Sequence, residues 1–221
     1  MARYDAIVIG AGLGGLSAAT MMAHNGLQVL LLERHNVPGG YATSFVRGRY
    51  EFEVALHELS GMGTEAAPGP LYRYLEDLGV LDHIELVRLD TIYRSIFPGT
   101  DLTLPVGWDG CIEVLCTEFP HESDGIRRFM GRLQKLAGEM AFFDQILNWT
   151  DSRLGLAGHL TGLPGNSQTI LRYVLSPFET VLHRDVSDPR VRAVISQFWG
   201  YIGLPPSTAS FLYLGGCIAT Y

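Results

Sequence analysis

Apolar and polar positions along this chain follow several different rhythms, and each predicts a different element. Residues 5–10, Asp-Ala-Ile-Val-Ile-Gly, form a short continuous apolar run that suits a buried parallel strand. A glycine turn follows, and Leu16 to His24 reads as a helix of small residues ended by Asn25-Gly26. Residues 28–33, Gln-Val-Leu-Leu-Leu-Glu, read as a second buried strand with an acid at its carboxyl end. Strand, helix and strand within about 30 residues make a βαβ unit, whose crossover is expected to be right-handed.

Beyond Gly39-Gly40 the rhythm changes to strict alternation. Tyr50, Phe52, Val54 and Leu56 fall on one face of an extended segment, and Glu51, Glu53 and His57 on the other. Residues 61–70 are rich in glycine, alanine and proline and read as a linker. Leu71, Tyr74, Leu75 and Leu78 then make one helical stripe closed by Gly79. Ile84 to Leu104 reads as strands broken at Pro98-Gly99. The remainder has a helical period. Ser123 or Asp124 can cap a long helix with Ile126, Phe129, Met130, Leu133, Leu136, Met140 and Phe143 on one face. Its opposite face carries Arg127, Arg128, Arg132 and Lys135 and reads as solvated. Residues 155–167 are a glycine-rich break, and Ser187-Asp188-Pro189 is a helix start leading into Val191, Val194, Ile195, Phe198 and Trp199. The pattern predicts an α/β protein: residues 1–84 begin a Rossmann-like dinucleotide-binding domain. Residues 85–221 form part of an α+β, largely helical second domain, with strands at about 85–105.

Composition narrows the range. The chain has 221 residues, 47% hydrophobic and 18% charged, as expected of a folded globular protein. A formal charge of −7 argues against nucleic acid and anionic lipid as principal partners, because both attract basic surfaces. Cys111, Cys116 and Cys217 have no metal-ligand spacing, and idle thiols in a reducing compartment are the expectation. No run reaches the roughly 18 apolar residues that span a bilayer. The expected location is the cytoplasm, with peripheral membrane contact at most.

The chemistry is concentrated in the first turn. Gly10-Ala11-Gly12-Leu13-Gly14-Gly15 is a G-x-G-x-x-G between a predicted strand and a predicted helix, the context that gives the motif its mechanism. The first glycine permits the turn, the second lets backbone approach a pyrophosphate, and the third lets the helix lie close to the strand. The helix N-terminus then offers unpaired N–H groups and partial positive charge to phosphates. Glu33 stands 23 positions after Gly10, about where an acid accepts hydrogen bonds from an adenosine ribose. A carboxylate there repels a 2′-phosphate and disfavours NADP. FAD and NAD present the same ADP half to this motif. The continuation Arg34-His35-Asn36-Val37-Pro38-Gly39-Gly40 decides for FAD, because NAD enzymes have no general need of a glycine pair just after the ribose acid. The cofactor-binding set is then Gly10, Ala11, Gly12, Leu13, Gly14, Gly15, Glu33, Arg34, Gly39, Gly40, Tyr41 and Ala42.

That second glycine pair resembles the glycine-doublet flavoproteins. Within them, residues 38–45 (Pro-Gly-Gly-Tyr-Ala-Thr-Ser-Phe) and 50–57 (Tyr-Glu-Phe-Glu-Val-Ala-Leu-His) look like the phytoene desaturase, carotenoid isomerase and retinol saturase family. Residues 188–194 and Gly203-Leu204-Pro205-Pro206-Ser207 are similar to a helix and loop of that family's substrate domain. The chain departs from the family at Ala55, where glycine is usual. The resemblance implies bound FAD and desaturation, saturation or cis–trans isomerisation of a long apolar polyene or isoprenoid. It makes His57, then Glu53, the candidate proton-handling residues.

Members of the family are about twice this length and close their FAD domain with later strands. The resemblance therefore implies an N-terminal half that a second polypeptide or a missing C-terminal half completes. An amine-oxidase-like flavoprotein and a non-catalytic FAD-binding scaffold or regulator remain as alternatives. No nucleophile–base pair, zinc spacing or phosphate-transfer lysine is present, and no metal site is expected.

Overall fold

The computed structural model describes residues 3–54, 59–64, 67–147, 165 and 167–220. The chain divides into two compact units, Met1–Leu86 and Val87–Tyr221.

In the first unit, β1 (Ala6–Ile9), α1 (Leu13–His24) and β2 (Val29–Leu32) form the βαβ unit. The strands are parallel and in register, Ala6 beside Val29 through Ile9 beside Leu32. β3 (Ser44–Arg47) and β4 (Tyr50–Glu53) make an antiparallel hairpin turning at Gly48. The short strands β5 (Gly63–Thr64) and β6 (Ala67–Pro68) pair within the stretch expected to be a linker. α2 (Pro70–Asp77) starts with proline in its first turn, where the missing N–H costs nothing.

The two strands of the βαβ unit were expected to be buried, and the structure corrects this. Burial in β1 alternates: Ala6 and Val8 are half-buried, whereas Ile7 is 61% and Ile9 85% exposed. Among the described residues of this unit only Ala11 and Ala19 are buried. The reason is geometric. α1 covers one face of a two-stranded sheet, and no described element covers the other, so the apolar run has a partner on one side only. Of the alternation predicted over residues 50–57, β4 carries Tyr50 to Glu53, all four exposed, and residues 55–57 lie outside the described residues.

The second unit holds the core. β7 (Thr91–Phe97) and β8 (Thr100–Pro105) pair antiparallel through the Pro98-Gly99 turn. Residues 84–90, expected to be strand, are irregular. α3 (Trp108–Glu118) and α4 (Ser123–Leu147) follow, then α5 (Gln168–Tyr173), α6 (Phe178–His183), α7 (Pro189–Ile195), α8 (Trp199–Ile202) and α9 (Phe211–Thr220). The predicted stripe of α4 is inside over its first half, where Ile126, Phe129, Leu133 and Leu136 have no exposed surface, whereas Met140 further along is 37% exposed. Phe129 meets Phe178 edge-on at 5.4 Å between centroids, and Phe178 stacks on Phe211 at 6.1 Å. Such offset and edge-on pairs add to the burial of their area. The glycine-rich break at 155–167 lies almost wholly outside the described residues.

The polar face of α4 is not simply solvated. Arg132 donates through Nε to Asp185 at 2.7 Å and through a terminal nitrogen to the Tyr173 hydroxyl at 2.8 Å. Arg128 donates to the same carboxylate, which is nearly buried. A buried carboxylate needs donors in place of water, and these two arginines supply them.

Candidate functional site

The site is built on the turn between β1 and α1. Gly10 sits at φ +96°, a conformation that side chains rarely adopt, and its N–H donates to Leu32 O at 2.7 Å. A Cβ on Gly15 would stand 1.8 Å from Gly10 O, so only glycine lets the helix start this close to the strand end. α1 begins after Gly12, which is extended and supplies no side-chain cap, and its first turn holds no acid. The first N–H groups of the helix are therefore left for an outside acceptor, as phosphate binding requires. Leu13 is largely exposed on this turn, and nothing lies within 4 Å of where a Gly14 side chain would begin.

Glu33 lies directly beside the turn. One carboxylate oxygen accepts the Ala11 N–H at 2.6 Å, and the other accepts the His35 N–H at 2.7 Å. The His35 and Ala11 N–H groups together hold its carboxyl below the usual carboxylate range. An exposed, ionised carboxylate with a lone pair to spare on each oxygen can still accept two ribose hydroxyls. The residues present thus fit the ADP half of a dinucleotide.

Gly39 and Gly40 were expected to let the chain pass close to a cofactor. They also lock against the first glycine turn. Gly39 N–H donates to Ala11 O at 2.6 Å, and Gly12 and Gly39 form a parallel bridge. A Cβ on Gly40 would stand 3.0 Å from Gly12 Cα. Both glycines have positive φ, +116° and +63°. The two glycine clusters, 24 or more residues apart in sequence, make one backbone surface with almost no side chain on it. Gly40–Ala42 is a short 3-10 turn that leaves Tyr41 84% exposed, and Arg34 is exposed beside it.

Sequence reasoning missed two supporting residues. His35 contributes its backbone N–H to Glu33. Thr43 donates its hydroxyl to Gly40 O at 3.0 Å, and its methyl lies 2.8 Å from where a Gly39 Cβ would be. A threonine three residues after a glycine is a local turn signal that could have found the second.

Of the two candidate proton-handling residues, His57 lies outside the described residues, as does Ala55. Glu53 is exposed at the end of β4, opposite Ser44. Among the described residues no group of His, Cys, Asp and Glu is placed to hold a metal ion, and no helix is long and apolar enough to cross a membrane. Cys111, Cys116 and Cys217 are not in disulfides.

Residues 8–78 match the NAD(P)-binding Rossmann-like domain family. Prolycopene isomerase 1 of an Oncidium hybrid cultivar is 29% identical over 195 residues, covering 87% of this chain and 32% of that protein. The prolycopene isomerase of Arabidopsis thaliana is 28% identical over 193 residues, with 87% and 32% covered. All-trans-retinol 13,14-reductase of Danio rerio is 26% identical over 212 residues, covering 94% of this chain and 34% of that protein. The chain thus spans about a third of the length of these curated relatives. A crystal structure of Rab GDI from Plasmodium falciparum shares the fold over 98% of this chain and 48% of its own, with a TM-score of 0.52 and 14% identity. The Rossmann-like domain assigned to residues 8–78 carries a dinucleotide-binding turn.

Proposed function

We propose, from its similarity to prolycopene isomerases and an all-trans-retinol 13,14-reductase, that this chain is the FAD-binding portion of an oxidoreductase acting on a long apolar polyene. The observation that carries the FAD reading is the contact between the two glycine clusters. A turn that needed only to cradle an ADP unit has no use for a second glycine pair packed on it. The pair extends a bare backbone surface along which a longer cofactor can lie.

The roles then follow from the geometry. Glu33 orients the adenosine ribose and, by its charge, discriminates against a 2′-phosphate. The open N-terminus of α1 holds the pyrophosphate, and Gly39 and Gly40 leave room for the cofactor beyond it. A bound flavin supplies hydride acceptance and donation, which no side chain of this protein can provide. Glu53 and His57 are the proposed proton-handling groups, and an apolar second unit suits a substrate without charge.

The exposed face of β1, with Ile7 and Ile9 uncovered, supports a further part of the proposal. Additional polypeptide packs on that face and completes the domain, because an open sheet face of this kind favours association. The visible spectrum of the purified protein tests the whole reading. Bound yellow flavin, in the chain alone or after co-production with the completing polypeptide, is the expected result. A protein that stays colourless in both cases and takes up NADH instead overturns it.

A further inference from the structure

The second unit contains a cavity of about 210 Å³ that lies entirely within residues 92–219. Its floor is core: Leu104, Cys111, Leu115 and Phe198 are each at most 5% exposed. Its rim is formed by Val106, Trp108, Ile218 and Ala219, which leave it partly open to the outside. Gly107, at φ +103°, turns the chain from β8 into α3 and brings Trp108 to the edge.

Three side chains of the wall carry polar atoms, Tyr93, Trp108 and Cys111, and two of them are already committed. The Tyr93 hydroxyl donates to Val194 O at 2.7 Å, and the Cys111 thiol donates to Pro105 O at 3.0 Å. Phe198 meets Tyr93 edge-on at 5.2 Å, which fixes that wall. Burial also pushes the Cys111 thiol up to about 11, so it presents neither charge nor a reactive thiolate to the cavity. A water needs two to four polar partners to stay in such a space, and beyond these two side chains the wall offers only the Trp108 indole N–H.

Size decides between the remaining occupants. An apolar cavity of roughly 150 Å³ stays dry and binds benzene, whereas sites for whole drug-sized ligands run from about 300 Å³ upward. This cavity lies between the two. We propose that it is a binding pocket for the ring or branched end of an apolar, unsaturated hydrocarbon, held by shape and burial without a polar anchor. The pocket rests on the polyene reading for its natural ligand, and its location and selectivity follow from its own walls. A substrate seated there is recognised by its terminal group, so a bulky cyclic end and a slim straight chain are told apart.

Calorimetric titration of the full chain with trimethylcyclohexene, a ring-sized hydrocarbon probe, tests the pocket directly. Ala219→Trp places an indole in the opening and is expected to weaken the probe by about tenfold or more, roughly the loss of two buried methylene contacts. Ile218→Trp fills the same space from the next position and serves if the first variant unfolds, as judged by its thermal melt. Ile96→Ala, on the exposed outer face of β7, is expected to leave binding unchanged. A folded wild-type chain that carries flavin yet fails to bind the probe overturns the pocket and leaves the flavin reading intact. A chain that stays colourless even with its completing polypeptide, and whose probe binding is lost on filling the opening, supports the pocket and undoes the flavin reading. Equal binding by wild type and both filled variants places the probe elsewhere and overturns the proposal.

Discussion

Single carboxylates do the organising work in both units, and each does it by accepting backbone N–H groups. Glu33 ties the end of β2 to the glycine turn through Ala11 and to the following loop through His35. Glu33→Ala is expected to lower affinity for the dinucleotide on the order of tenfold or more, through lost ribose hydrogen bonds and a loosened turn, in a fluorescence titration. Glu33→Gln, which keeps an acceptor, is expected to retain part of it. In the second unit Asp188 caps α7 by accepting the Arg190 N–H, and its carboxylate also receives the Arg190 side chain and His121. The Arg190 guanidinium, helped by its N–H and by His121, holds the Asp188 carboxyl down to about 2 against the opposing effect of desolvation. Because the folded value lies below the unfolded one, near 4, this stabilisation is complete above about pH 4 and is lost as pH falls toward 2. Asp188→Ala is expected to cost about 1 kcal/mol at neutral pH, the usual size of a lost cap, and to cost almost nothing near pH 2. Urea titrations of both proteins at the two pH values check this. A constant difference across that range contradicts it.

At the scale of elements, sequence pattern was a good guide wherever one local signal sufficed. The βαβ unit, the long α4 and the proline-led start of α7 lie close to where periodicity and caps put them. Residues 84–90 failed as a strand because an apolar run shows only that burial is favoured, and β7 begins where a pairing partner, β8, exists. Gly125 was invisible for a related reason. It reads as a mild flaw in a helix, yet a Cβ there would stand 1.9 Å from Asp185 O, so it is what lets α4 approach the segment after α6. Gly125→Ala improves helix propensity and is nevertheless expected to destabilise the second unit by about 1–3 kcal/mol, the range for forced overpacking. Thermal unfolding decides the sign, and a raised melting temperature contradicts the packing reading. The Asp185 network was likewise hidden, since Arg128, Arg132, Tyr173 and Asp185 lie far apart in sequence and look like ordinary surface residues.

The whole molecule combines two units of very different self-sufficiency. The second has an extended aromatic and aliphatic core, whereas the first has two buried alanines among its described residues and an open sheet face. The candidate site falls in the less complete unit. Its glycine turn, the acid that follows β2 and the second glycine pair were legible as local features because each follows from backbone constraints that leave a fixed mark in sequence. The contact between the pairs was not, because closeness in space leaves no such mark. The central claim is that this surface holds FAD by its ADP half. Titration of FAD into the protein, with its completing polypeptide where colour requires it, and competition by ADP, FMN and NADP test that claim most directly. The account predicts that FAD binds, that ADP competes, and that FMN and NADP compete poorly, because one lacks the ADP half and the other brings a phosphate to Glu33. Binding of FMN as tight as that of FAD, with no competition from ADP, would contradict it.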